Sequence, residues 1–342
     1  MDEKVKQSRQ PGCAIAILLL LFAATGARVT RADEGGGPDR TLYLALEEGA
    51  GRVRMHAVFG AEQKSYTVSE TPEKLRRDFT KLYRKLDKAQ ATRAVVRERL
   101  GRYEQPFYGP VAALLDAAEQ VQFIIDEHTI QYAFDLVDFK GRPLFLQKPV
   151  SYSTARRRPR EGAFSPDWSG LAVSDPSADP DRGVAFLQEI LPGTTYYDMK
   201  DLDLERFRAI PPKDITLLSL HGAVEKRGAN MDLNKERLFA GDLARLGSRI
   251  VYLDSCQMGA SYPLLAALRE QGNACLVAPL VSNEAGDSST KTIRFFFSHL
   301  SRGDAPAVAM YRAKIQLHEL YHTKKYQRML EKVFPFRVYL QE

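Results

Sequence analysis

Apolar runs of strand length punctuate the second half of the chain, and each stops abruptly at polar or small residues. Ile215–Leu220 runs into His221-Gly222, Ile250–Leu253 into Asp254-Ser255-Cys256, and Cys275–Leu280 into Val281-Ser282-Asn283. Runs of this kind read as strands buried on both faces, the habit of parallel sheets. Gly170–Ser174 begins the series. Helical stretches are expected at 185–191, 202–209, 259–270, 290–301 and 306–326, so strand and helix alternate as in an α/β unit with helices on both faces of a central, mostly parallel sheet. Phe336–Leu340 would add a last strand at the edge.

The first half has a different pattern. Residues 41–46, 52–59 and 65–68 read as three short antiparallel strands with glycine turns. Thr71-Pro72 then has the form of a helix start, the threonine as N-cap and the proline in the first turn. A charged helical stretch runs from there to about Leu100, with Leu75, Phe79, Leu82 and Leu86 at helical spacing on one buried face. A second helix is expected over 109–119, and strand-like segments over 121–126 and 131–137. Arg156-Arg157-Arg158 and Arg160 lie in a loop, read as solvated and open to proteolytic nicking or docking.

Residues 1–32 change the picture of where the protein works. A weakly basic segment (Lys4, Lys6, Arg9) precedes the apolar run Cys13–Ala27, with small residues after it. That is the layout of an export signal, cleaved after Ala27 or Ala32 or retained as an anchor. The 15-residue run is short for a membrane-spanning helix. Either reading exports the globular part, to the periplasm or the exterior. Residues 33–40 form a glycine-rich spacer. The 342-residue chain carries a net charge of +6, and 44 basic against 41 acidic residues remain beyond residue 32. So slight an excess, with no aromatic-basic ribbon, argues against nucleic acid.

The strand ends carry the chemistry. In an open parallel sheet, sites are built beyond the carboxyl ends of the strands. His221 and Cys256 fall there together, the arrangement of a thiol nucleophile with an imidazole base. The backbone N–H groups of Gly222 and Cys256 would hold an oxyanion, and Gly222 would let substrate backbone approach. Gly259 would suit a tight turn into a following helix, whose amino terminus would lower the thiol pKa. Beyond the leader the only cysteines are Cys256 and Cys275. They fall at opposite ends of their strands, too far apart for a disulfide if those strands are parallel neighbours. Cys275 reads as a small buried apolar residue.

These blocks, an apolar run plus His-Gly and an apolar run plus Cys, resemble the signature of caspase-like cysteine peptidases. With Met231–Asn234, Leu238–Leu243, Cys275–Leu280, 290–303 and 305–316, the chain is similar over about 41–342 to the CHAT family, relatives of caspases and separase. The resemblance implies a caspase-like fold with a degenerate, non-catalytic half (41–165) and a catalytic half (166–342). It implies peptide-bond hydrolysis by a His221–Cys256 dyad without a cofactor or metal, acting on a protein or peptide substrate. Glu284 and Asp287 would receive a basic substrate side chain, as acids do in separase-like relatives, or stay solvated loop acids; Asp254 would help them or orient local backbone. Two departures stand out. Many CHAT proteins have a tryptophan where this chain reads Pro279-Leu280-Val281, and no tandem repeat is present, so a docking or activating protein would be a separate molecule. A silent CHAT module serving as a binding scaffold is the alternative.

A competing motif lies at His318-Glu319-Leu320-Tyr321-His322, which matches the zinc-binding H-E-x-x-H pattern. No histidine follows His322, the only later acids are Glu331 and Glu342, and 20 residues remain. A zinc peptidase is therefore the minor reading.

Overall fold

The computed structural model describes residues 40–341 apart from 50, 69, 89, 157–163, 226–227 and 323–328. The leader, most of the spacer and most of the arginine loop lie outside the described residues. The strands, in chain order, are β1 (Thr41–Gly49), β2 (Arg52–Phe59), β3 (Glu62–Val68), β4 (Gln120–Ile124), β5 (Asp138–Phe139), β6 (Arg142–Pro143), β7 (Val150–Ser153), β8 (Gly170–Ser174), β9 (Thr194–Asp198), β10 (Ile215–Ser219), β11 (Gly222–Glu225), β12 (Gly228–Leu233), β13 (Glu236–Phe239), β14 (Ile250–Asp254), β15 (Cys275–Pro279) and β16 (Phe336–Leu340). The longer helices are α1 (Pro72–Leu86), α2 (Arg93–Leu100), α3 (Tyr262–Glu270), α4 (Asp287–Leu300) and α5 (Pro306–Tyr321), followed by a short α6 (Met329–Val333).

One eleven-stranded sheet runs in the order β3-β2-β1-β4-β7-β16-β15-β14-β10-β8-β9. β1, β4, β7 and β16 are mutually parallel, and so are β15, β14, β10, β8 and β9. The two sets meet where β16 pairs antiparallel with β15. β16 is therefore no edge strand: it joins the halves of the sheet, with Phe336 to Tyr339 buried. Arg337 sits fully buried in its middle, donating to the carbonyls of Ile130 (3.0 Å) and Tyr132 (2.7 Å) and lying over the Tyr152 ring. The true edges are modest. β3 exposes Glu62, Gln63 and Lys64, charged and polar residues of the kind that discourage further strand pairing.

Alternation across the strands builds two cores. Leu171, Val173, Leu218, Val251 and Leu253 join the cluster that includes α1 and α3, while Ala172, Leu217, Tyr252 and Val277 pack with Ile293 and Phe296 of α4 and Met310 of α5. Both faces are thus covered, which is why β8, β10, β14 and β15 read as unbroken apolar runs.

The helix start at Thr71 is as expected: its Oγ1 accepts from Lys74 N, and Pro72 stands in the first turn. The long charged helix instead breaks into α1 and α2, because Thr92 provides a second N-cap, accepting from Val95 N at 3.3 Å. Residues 131–137 do not form a strand. Phe134–Leu136 is one 3₁₀ turn, with Phe134 packed against Phe123, Phe107 and Tyr132. A short apolar run has no period that separates strand from buried turn. The 109–119 helix begins as a 3₁₀ turn (Gly109–Val111) and is α-helical only over Ala112–Ala117.

Candidate functional site

Three neighbouring parallel strands, β8, β10 and β14, end level with one another. Ser219 of β10 aligns with Ser174 of β8 on one side and Asp254 of β14 on the other. His221 and Cys256 each follow two residues later. The level strand ends put both loops at the same end of the sheet, with His221 exposed and Cys256 half-buried. Asp232 N donates to His221 O at 2.8 Å, which holds the histidine backbone against β12.

That bond also defines Gly222. It flanks the Gly222–Met231 pair, which is therefore a non-hydrogen-bonded pair, and the Gly222 N–H points away from β12. A Cβ on Gly222 would come 2.3 Å from Ser255 Oγ and 2.7 Å from Asn230 O. The glycine is dictated by packing of β11 against the cysteine loop and β12, a nearer cause than room for substrate.

Cys256 sits on a sharp turn. Gln257 has φ +60°, uncommon for a residue with a side chain, and its Nε2 donates to Ser282 Oγ at 3.4 Å. A 3₁₀ turn (Met258–Ala260) follows, and α3 begins only at Tyr262, capped by Ser261. The thiol is therefore not at the helix amino terminus. Gly259 is required by contact, since a Cβ would lie 2.9 Å from Ala278 O and from the Tyr339 hydroxyl, which donates to Gly259 O. Cys275 aligns with Ile250 at the far end of the sheet, and both thiols are free. Burial pushes the Cys275 thiol up to about 12.

The three acids are placed differently from one another. Asp254 faces inward at 3% exposure. Its carboxylate accepts from Ser219 Oγ (2.6 Å), Ser289 Oγ (2.5 Å) and Asn283 Nδ2 (2.7 Å). It ties β10, the loop after β15 and the first turn of α4 to β14. Burial pushes it up to about 6, against the lowering effect of those donors. It is inside the protein, not on the rim. Glu284 and Asp287 lie near each other but are occupied: Lys332 Nζ reaches Glu284 at 2.5 Å and Asp287 at 2.9 Å, and Lys291 also binds Asp287. Burial opposes ionisation of Asp287, but the two lysines and Tyr321 hold its carboxyl well below the usual range.

Two further residues at the strand ends escaped the sequence reading. Asp175 and Ser177 follow β8 directly, and Ser177 Oγ lies 2.9 Å from His221 Nε2. The signal was present: β8 stops at Asp175-Pro176-Ser177 in the same manner as β10 stops at its histidine. His318 and His322 stack at 4.8 Å between ring centroids. No group of three or more His, Cys, Asp or Glu that could hold a metal occurs among the described residues. No helix among them is long and apolar enough to cross a membrane.

No family model matches this sequence, and no curated protein matches it. Solved structures do match the fold. A chain in the crystal structure of the Saccharomyces cerevisiae separase–securin complex aligns with a TM-score of 0.58 at 7% sequence identity, covering 88% of this chain. This chain spans 30% of the length of that one. The protein is thus a mixed α/β protein whose large, mostly parallel sheet and flanking helices resemble the caspase-like fold of separase.

Proposed function

We propose that the chain is a cysteine endopeptidase of the caspase and separase kind, a CHAT-like protein, cutting peptide bonds with His221 and Cys256. The observation that carries the reading is that those two residues each follow, by two positions, the level ends of adjacent parallel strands in a separase-like sheet. Cys256 Sγ, its proton passed to His221, attacks the scissile carbonyl carbon. The N–H groups of Gly222 and Cys256 receive the oxyanion, and His221 returns the proton to the leaving amine. Water, activated by His221, then cleaves the thioester. The Gly222 N–H suits the role because β12 does not use it. Glu284 and Asp287 would receive a basic side chain only by displacing Lys332 and, at Asp287, Lys291. Asp254 contributes indirectly, by fixing the loop that carries Asn283. The substrate is a protein or peptide, a separate docking or activating protein is expected, and the export signal in 1–32 puts the reaction outside the cytoplasm.

The test is a positional peptide library offered to the protein, Cys256→Ala and His221→Ala. Cleavage lost in both variants, each still folded, supports the dyad. Cleavage that survives either substitution overturns it. The pairing of Glu284 and Asp287 with internal lysines favours a second reading, a closed scaffold, which predicts no cleavage and no labelling of Cys256 by a thiol probe.

A further inference from the structure

His221 follows the middle of three strands, with the Ser177 loop after one neighbour and the Cys256 loop after the other. The Ser177 loop is firmly built. Asp175 N donates to Ser219 O at 2.9 Å, tying it to β10, and the amides of Ala178 and Asp179 return to Asp175 O. Pro176 stands at the turn position where its fixed φ is favourable. The Asp175 carboxylate, buried at 8% exposure, accepts from both Ser177 N and Ser177 Oγ at 2.8 Å.

The donors and acceptors along this chain can be counted. An ionised carboxylate only accepts, and a serine hydroxyl has one proton to give. Ser177 gives it to Asp175, so at its 2.9 Å contact with His221 it must accept. Nε2 of His221 therefore carries a hydrogen, and in the neutral ring the lone pair belongs to Nδ1.

We propose that Ser177, braced by Asp175, is a positioning residue for His221: it fixes the Nε2–H tautomer and leaves Nδ1 as the base for Cys256. The proposal rests on the cysteine peptidase reading. In the resting state Nδ1 is free to take the thiol proton. In the imidazolium that results, the Nε2–H still has its acceptor, and Nδ1–H is the proton returned to the leaving amine. A histidine without this partner would divide between tautomers, and the Nδ1–H form could not accept the thiol proton at that atom.

Ser177 is exposed, so Ser177→Ala should fold, and Ser177→Thr retains the hydroxyl. The first measurement is ring-nitrogen NMR of ¹⁵N-histidine-labelled protein in a Cys256→Ala background, with the His221 signals assigned by their loss in His221→Ala. The expected result is an Nε2–H signature both with the native serine and in Ser177→Thr, and a tautomer mixture in Ser177→Ala. An Nδ1–H signature with the native serine, or one unchanged in Ser177→Ala, overturns the proposal. The second measurement is cleavage by the protein with Cys256 intact. Ser177→Ala should lower kcat about tenfold, the worth of one lost hydrogen bond, with KM unchanged and activity restored in Ser177→Thr. An unchanged kcat overturns the catalytic role. If the tautomer behaves as expected but no cleavage depends on Cys256, the peptidase reading fails and takes the role with it, leaving a tautomer lock without that reaction.

Discussion

Replacing Asp254 by asparagine should change how stability depends on pH, in a direction the structure fixes. The carboxyl group titrates near 3.8 in the unfolded chain and is pushed up to about 6 by burial in the folded one. Between those values the folded protein holds a proton that the unfolded chain has lost. Stability contributed by this group is therefore fully present below pH 3.8 and is lost as pH rises through about 6. The gap corresponds to about 3 kcal/mol, at about 1.4 kcal/mol per pH unit. Asparagine has no such term. Its Oδ1 can keep the bonds from Ser289 and Asn283, and its amide can donate to Ser219, whose hydroxyl turns to accept. The cost of that exchange does not vary with pH.

The assay is urea unfolding of the protein and of Asp254→Asn at pH 4, 5, 6 and 7 and constant ionic strength. Asp179, also raised by burial, slopes in the same direction, and because the two carboxylates repel one another, the substitution also eases its titration, adding to the difference in the same sense. The variant should gain on the parent by about 2 kcal/mol between pH 4 and pH 7, since at pH 4 the unfolded carboxyl is still partly protonated. A difference that stays constant with pH, or grows in favour of the parent, would refute the burial argument. The variant should also keep the parent's cleavage preferences, because the carboxylate is not on the rim. A changed preference would mean that Asp254 meets substrate.

Other substitutions probe the packing around the site. Gly222→Ala should cut kcat at least as severely as it lowers stability, because its Cβ collides with Ser255 Oγ and the Asn230 carbonyl; thermal unfolding beside peptide cleavage separates the two effects. Arg337→Met should cost about 3–5 kcal/mol in urea unfolding, since it strips the donor from two buried carbonyls and leaves Asp135 without its cation. In the native protein, a thiol reagent at pH 8 should label Cys256 and spare Cys275 until denaturant is added; prompt labelling of Cys275 would contradict its burial. Lys332→Met should raise cleavage after basic residues if Glu284 and Asp287 receive that side chain, an effect read as a shift in the library profile.

What the sequence revealed follows from which signals are local. β10 and β14 were legible because strands buried on both faces must be apolar throughout, and a histidine or cysteine just past such a run is conspicuous. The N-cap at Thr71 was legible for the same reason, its partner being three residues away. β16 was recognised as a strand, but nothing in five residues names their neighbours, so its place between β7 and β15 was invisible. Arg337 gave no local sign of that central place, since its acceptors lie about 200 residues earlier, at Ile130 and Tyr132. The small β11–β12–β13 sheet was missed because its strands are short and partly exposed, with no clean alternation.

The site divides along the same line. Residue type and strand position singled out His221 and Cys256, both of which are one-residue signals. Burial decided the rest, and burial depends on the whole fold. Asp254 was read as a helper of the two loop acids or as a group that orients local backbone, and three donors from β10, α4 and the loop after β15 enclose it. Glu284 looked free because Lys332 lies more than 40 residues away in the chain; Asp287 shares that lysine, though its other partner, Lys291, is only four residues on. Ser177 belongs to an ordinary Asp-Pro-Ser turn. Its hydroxyl gains meaning only from the pairing of β8 with β10, which sets it against the ring of His221. A search of sequence for catalytic machinery in this fold should therefore examine the residues after all three strand ends, and not only those that carry a nucleophile or a base.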